Sequence, residues 1–226
     1  MARIDRYRHP SDLPSRIPLF PLRGAILLPR ATLPLNVFEP RYLAMLEDVL
    51  AGQRIIGVIQ PSTGDGDIES PERKDAQLHR VGCAGRVTAY QELDDGRLLI
   101  TLTGVARYTI IDEAATASPY RTATVTYDAF ASDFDIGRGE EQVDRTNLVR
   151  VLRAYLEQNR LKADWTAIER APSEYLINAL CVMSPYGPEE KQALLEAEDL
   201  KRRAEVLIAL AEMELASTGG PGGTLQ

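Results

Sequence analysis

The sequence predicts an α+β protein in which a β-rich part is followed by a carboxy-terminal helical bundle, and three observations carry that reading. Prolines cut the opening stretch into short apolar pieces, glycine-punctuated strand patterns follow one another from Arg80 to Tyr127, and beyond residue 139 the apolar spacing turns helical. Short strands with little helix between them favour an antiparallel sheet or a partly closed barrel. The boundaries that follow are a flexible arm at 1–14, a β-rich domain at 15–130, a hinge at 131–139, a helical bundle at 140–217 and a disordered tail at 218–226.

From Ile17 to Tyr42, the prolines at 18, 21, 29, 34 and 40 each fix φ, remove a backbone donor and push the preceding residue toward extended geometry. Leu19-Phe20, Ile26-Leu27-Leu28 and Leu35 to Phe38 are therefore predicted as short strands or arches. The first helix waits for Pro40, since proline is tolerated at a first helical position. Tyr42, Met45, Leu46, Val49 and Leu50 then recur at helical spacing, and Gly52 stops the helix. Arg54 to Gln60 is a β-branched run predicted as a buried strand. Pro61 to His79 is polar almost throughout and is predicted as a mobile surface loop. Its carboxylates Asp65, Asp67, Glu69 and Glu72 lack the spacing and the terminal bidentate Glu of a calcium loop.

Val81 to Tyr90 is predicted to pair with Arg97 to Leu102 as a hairpin, because Asp94-Asp95-Gly96 supplies the positive φ values a tight turn needs. Gly104 is expected to break the strand before Val105 to Ile111, and Tyr120 to Tyr127 alternates as a half-buried strand should. Val143, Leu148, Val151, Leu152, Tyr155 and Leu156 make one helical stripe. Ser173 is expected to cap a helix over Glu174 to Met183, which is apolar nearly all round and so placed at the centre of the bundle. Pro188-Glu189-Glu190 starts the next helix with acids at the positive end of its dipole. The last helix spans about Asp199 to Leu215, ahead of a glycine-rich tail.

Pro-Leu-Phe-Pro-Leu-Arg at 18–23 and Leu-Pro-Leu-Asn-Val-Phe-Glu-Pro-Arg-Tyr at 33–42 together resemble the opening of the Lon amino-terminal domain family, the substrate-binding module ahead of the ATPase in Lon proteases. The likeness continues in Val81-Gly82-Cys83-Ala84-Gly85-Arg86-Val87, in Asp95-Gly96-Arg97-Leu98 and in Leu102-Thr103-Gly104-Val105-Ala106-Arg107-Tyr108, and covers about residues 15 to 215. The resemblance implies a β-rich PUA-like pseudo-barrel followed by a helical bundle. It also implies a non-catalytic protein- or peptide-binding module that takes unfolded polypeptides or a proteolysis partner. Because the chain stops before the ATPase and Ser-Lys protease domains of such proteases, the expectation is a stand-alone member.

Chemistry-bearing patterns point the same way. There is no Gly-x-x-x-x-Gly-Lys-Ser/Thr phosphate loop and no Gly-x-Ser-x-Gly elbow, and Gly82 to Gly85 sits inside strands rather than opening a helix as a dinucleotide fingerprint does. The two histidines, His9 and His79, have no second ligand nearby, and Cys83 and Cys181 read as buried core thiols. No catalytic residue, cofactor or metal is expected. With 44% hydrophobic and 26% charged residues the chain can bury a substantial core. It shows no signal peptide and no apolar run of membrane length, so it is expected to be cytoplasmic.

The net charge of -7 argues against nucleic acid, although residues 1–60 hold eight arginines against five acids. That local excess is the one support for an alternative, a PUA-like RNA-binding module; an unrecognised hydrolase is the other. Glu39 and Arg41 are expected to form a local pair at the helix start. The candidate peptide-binding residues are Phe20, Phe38, Tyr42 and Met45, aromatic or adaptable side chains that could equally glue the arches to the first helix.

Overall fold

The computed structural model describes residue 4 and residues 6–62, 76–114 and 117–218. Six strands form one sheet: β1 (Arg16–Pro21), β2 (Thr32–Val37), β3 (Ile55–Ile59), β4 (Val81–Glu92), β5 (Leu98–Ala114) and β6 (Thr122–Thr126), in the order β2-β5-β4-β3-β1-β6. β1 and β3 run parallel, with β2 and helix α1 (Pro40–Ala51) in their crossover, and the other pairs are antiparallel. Because β6 also pairs with β5, strands β5, β4, β3, β1 and β6 hydrogen-bond in a closed ring. β2 hangs outside that ring on β5.

The prolines place this arrangement. The Ile26-Leu27-Leu28 piece, expected as a strand or arch, is an irregular arch whose three side chains are buried. It crosses β5 at Gly104, where Arg30 N donates to Gly104 O at 2.8 Å and Gly104 N donates to Ala31 O at 2.9 Å. A side chain at 104 would put its Cβ 2.0 Å from the Leu28 carbonyl oxygen. That glycine therefore permits close backbone approach rather than breaking the strand, and β5 runs unbroken for 17 residues. Inside the ring, the fully buried Tyr108 lies against Gly57 and Gly82, where added Cβ atoms would stand 2.7 and 2.5 Å from its hydroxyl.

The expected flexible arm is partly core. Tyr7 and Leu13 are buried in the cluster of Ile17, Leu19, Ile55 and Tyr108, and Tyr7 Oη accepts from Arg86 Nη1 at 3.0 Å. Apolar area outweighs the polar composition of that segment. The Pro61 to His79 loop is pinned at its base, with Ser62 N donating to Gln77 O at 2.8 Å and His79 N to Gln60 O at 3.0 Å. Its carboxylates at 65, 67, 69 and 72 lie outside the described residues, as do 219–226 of the expected tail.

Five further helices follow: α2 (Arg145–Gln158), α3 (Trp165–Arg170), α4 (Ser173–Met183), α5 (Pro188–Glu196) and α6 (Leu200–Thr218). Ser173 is not the cap of α4. Pro172 holds that position, Ser173 Oγ accepts from Arg145 Nη1 at 3.0 Å, and Glu140 Oε1 accepts from Glu174 N at 2.8 Å, so the cap comes from another segment. One hydrophobic cluster joins sheet and helices, running from Phe20, Ile56, Val58 and Cys83 to Leu148, Ile177, Cys181, Leu195 and Leu207.

A buried polar staple crosses the same boundary. Arg107 grips Asp133 through Nε to Oδ2 at 2.9 Å and Nη2 to Oδ1 at 2.8 Å, and donates Nη1 to Leu195 O at 3.2 Å. Asp133 lies in the segment expected as a hinge, which is packed here: Phe134 is also buried, and Gly137 N donates to Glu174 Oε2 at 2.9 Å. From the other side, Gln60 Nε2 donates to Pro188 O at 2.9 Å, and Asn178 Nδ2 to Pro29 O at 3.0 Å.

Candidate functional site

The four candidates from the sequence separate on burial. Phe20, Tyr42 and Met45 are 5%, 5% and 0% exposed, and the rings of Phe20 and Tyr42 stand 4.4 Å apart between centroids. They pack β1 against α1 in the free chain. Phe38 is 63% exposed and directly follows β2. Glu39 and Arg41 form the expected local pair at 2.8 Å, and the Arg41 guanidinium lies 4.5 Å over the Tyr42 ring.

Phe38 marks the end of a more informative feature. The first half of β5 carries β2 on one side and the far half of β4 on the other, forming a three-stranded wing beyond the ring. In register across it run Pro34–Thr101–Ala89 and Asn36–Leu99–Gln91 on one face, and Leu35–Ile100–Tyr90 on the other. The second face is held to the core by Ile100 and Leu102, 2% and 0% exposed. The first face looks outward, carries Leu99 at 40% exposure, and has no charged residue in those two rows. A shallow concavity of about 510 Å³ follows the wing, walled by Pro34, Asn36, Ala89, Gln91, Leu99 and Thr101, with Leu35, Tyr90 and Ile100 of the middle row also in its lining.

β2 pairs with β5 alone, so its second edge is open among the described residues. Pro34 fits that position, since proline within a sheet is confined to edges where its missing donor disrupts no ladder. The exposed residues Thr32, Pro34 and Asn36 alternate with the partly buried Leu33 and Leu35, as an edge strand over a core requires. The sequence did contain part of this signal, a proline inside an apolar run. It was masked by the aromatic residues beside it, whose type suits core and surface equally.

A second, smaller concavity of about 190 Å³ lies between α2, α4 and α6, walled by Leu152, Tyr155, Leu180, Met183, Tyr186 and Ile208 among others. Its walls are helices together with the turn that carries Tyr186, and no described strand borders it, so it offers side-chain contact and no strand edge.

The reactive groups lie away from the wing and are chemically quiet. Burial pushes the Cys83 thiol far up and that of Cys181 to about 12, so both stay protonated at neutral pH. Lys191 is 2% exposed and donates Nζ to Cys181 O and Val182 O, both at 2.7 Å, closing the carboxy end of α4; burial lowers its pKa to about 8. Among the described residues no group of three or more His, Cys, Asp or Glu is placed to hold a metal ion. Three arginines of the positive first quarter are held by the protein itself: Arg6 by the Tyr7 hydroxyl, Arg30 by the Asp133 backbone carbonyl and the Glu174 carboxylate, and Arg41 by Glu39.

An open strand edge beside an uncharged face, on a frame whose thiols are sealed away, defines a recognition module. The model of the ATP-dependent protease La (LON) substrate-binding domain matches residues 16–212, and the chain belongs to that family. It is similar to the Lon protease of Flavobacterium johnsoniae, 27% identical over 208 residues that cover 90% of this chain and 25% of that one. The Lon protease of Dictyoglomus thermophilum is likewise 27% identical, over 217 residues covering 90% and 25%. The chain thus spans about a quarter of the length of these curated relatives.

Two solved structures share the fold. A Lon N-terminal domain protein from Xanthomonas campestris superposes with a TM-score of 0.58 at 23% identity, covering 86% of this chain and 97% of that one. The N-terminal domain of a Mycobacterium avium complex Lon protease gives 0.63 at 17%, covering 87% and 98%.

Proposed function

We propose that the chain binds polypeptide substrates in extended form, adding them as a strand to the open edge of β2 and laying their side chains over the two uncharged rows of the wing. The observation that carries this reading is the one-sided pairing of β2 next to the exposed Leu99 row. On either side of Pro34, which has no donor, the outward N–H groups of Thr32 and Asn36 and the free C=O groups of the edge are there for another extended backbone to satisfy, and the two uncharged rows accept many sequences without selecting on charge. Phe38 lies at the end of that edge as an aromatic anchor. The module itself does no chemistry; it supplies substrates, or a bound partner, to proteolysis carried out elsewhere, in the cytoplasm. No described helix is long and apolar enough to cross a membrane.

The test is titration with a fluorescently labelled, reduced and unfolded polypeptide. Saturable binding is expected, weakened about tenfold by Leu99→Asp, which places a charge on the contact face and leaves the core alone. Saturation absent at roughly 300 μM, a free energy of only about 5 kcal/mol, removes the reading.

A further inference from the structure

The core beside the staple carries one more positive charge than the chain there matches. Arg203, on α6, is 3% exposed and donates Nε to Leu194 O at 3.1 Å and Nη1 to Asn178 Oδ1 at 2.9 Å. Both acceptors are neutral, and its Nη2 meets no acceptor among the described residues. Arg107 is matched by Asp133 and Arg30 by Glu174, which leaves three guanidinium groups against two carboxylates. A second buried donor, Arg30 Nε, is likewise without an acceptor among the described residues.

Asn178 ties the two arginines together, accepting from Arg203 Nη1 at 2.9 Å and donating Nδ2 at 3.0 Å to the carbonyl of Pro29, the residue before Arg30. The buried Cys83 thiol supplies no negative charge there, because burial raises its pKa. Burial first, then the like charge of Arg107, lowers the Arg203 pKa to about 10, which keeps the guanidinium charged at neutral pH. A charge so deeply buried is paired in folded proteins, or its burial costs more than its contacts return.

We propose that a small monovalent anion of chloride's size and charge binds in the core between sheet and helices, accepting hydrogen bonds from Arg203 Nη2 and Arg30 Nε. It matches the surplus charge and stabilises the folded chain by RT ln(1 + L/Kd), where L is its free concentration, so that stability rises with the logarithm of that concentration above Kd. The site stands apart from the wing and does not depend on how polypeptides are held.

Two measurements on the full chain test it. Thermal unfolding at constant ionic strength in chloride against gluconate is expected to show a midpoint about 4 °C higher at 0.2 M chloride, of the order that ligand binding at ten times Kd gives a domain this size. Arg203→Met is expected to abolish that increment. Should that variant not fold, the wild type suffices: crystals grown in bromide are expected to show an anomalous peak within hydrogen-bonding distance of Arg203 Nη2. Equal midpoints in the two salts overturn the proposal. So does an ordered water in place of the peak, or a peak at crystal concentration without stabilisation in solution.

Discussion

Asp133 is 6% exposed and takes three hydrogen bonds from Arg107, including one from its backbone N–H at 2.9 Å. Removing one partner of such a pair strands a charge in the core, which typically costs ~3–5 kcal/mol. Asp133→Ala is therefore expected to lower unfolding free energy by that order in a urea titration, whereas Asp135→Ala, two residues on in an exposed pair with Arg138, is expected to change it by less than about 1 kcal/mol.

Lys191 gives a pH signature. Its folded pKa is depressed to about 8 from 10.5, so between those values the unfolded chain binds the extra proton and stability rises with pH. Below pH 8 both states are protonated and the full burial penalty stands. The buried phenols, raised in pKa by burial, act in the opposite sense at high pH, so the comparison is with Lys191→Met. Wild type is expected to gain stability relative to that variant from pH 8 to pH 10, measured by denaturant midpoint; a constant difference contradicts it.

At the level of elements, what could be read from sequence was local, and what could not was imposed from a distance. The β4–β5 hairpin follows from Asp95-Gly96, and Gly96 takes a φ of 80°. The α1 start follows from Pro40, and the apolar α4 does bury Ile177 and Cys181 at its centre. Gly104 was misleading because the reason for it, the Leu28 carbonyl, is far away in sequence. Tyr7 and Leu13 were misleading because a polar segment can still contribute two buried side chains. Gly104→Ala drives a Cβ into backbone rather than into a flexible side chain, so the arch or β5 has to move. Overpacking of this kind costs typically ~1–3 kcal/mol, and the loss is expected to appear as a lowered midpoint with the helical content retained.

Across the whole molecule, sheet and helices share one apolar cluster and one set of buried polar contacts among residues 24, 29, 30, 60, 107, 133, 178, 192 and 203. No spacing rule links those positions, so Arg30, Arg107, Asp133 and Arg203, scattered through the sequence, become a staple only once the chain is folded. The same holds for the site. Residue type singled out Phe20, Phe38, Tyr42 and Met45, yet position in the fold decides which of them water can reach. The wing extends from this stapled frame, so a strand added to β2 meets a firm edge with little ordering cost on the protein side.

Amide hydrogen exchange with and without saturating unfolded polypeptide tests that claim most directly. Slowed exchange in β2 at Thr32 and Asn36, with the helices unchanged, is the predicted result. Unchanged exchange in β2 at saturation, with protection on α2, α4 or α6 instead, would place the polypeptide elsewhere and contradict it.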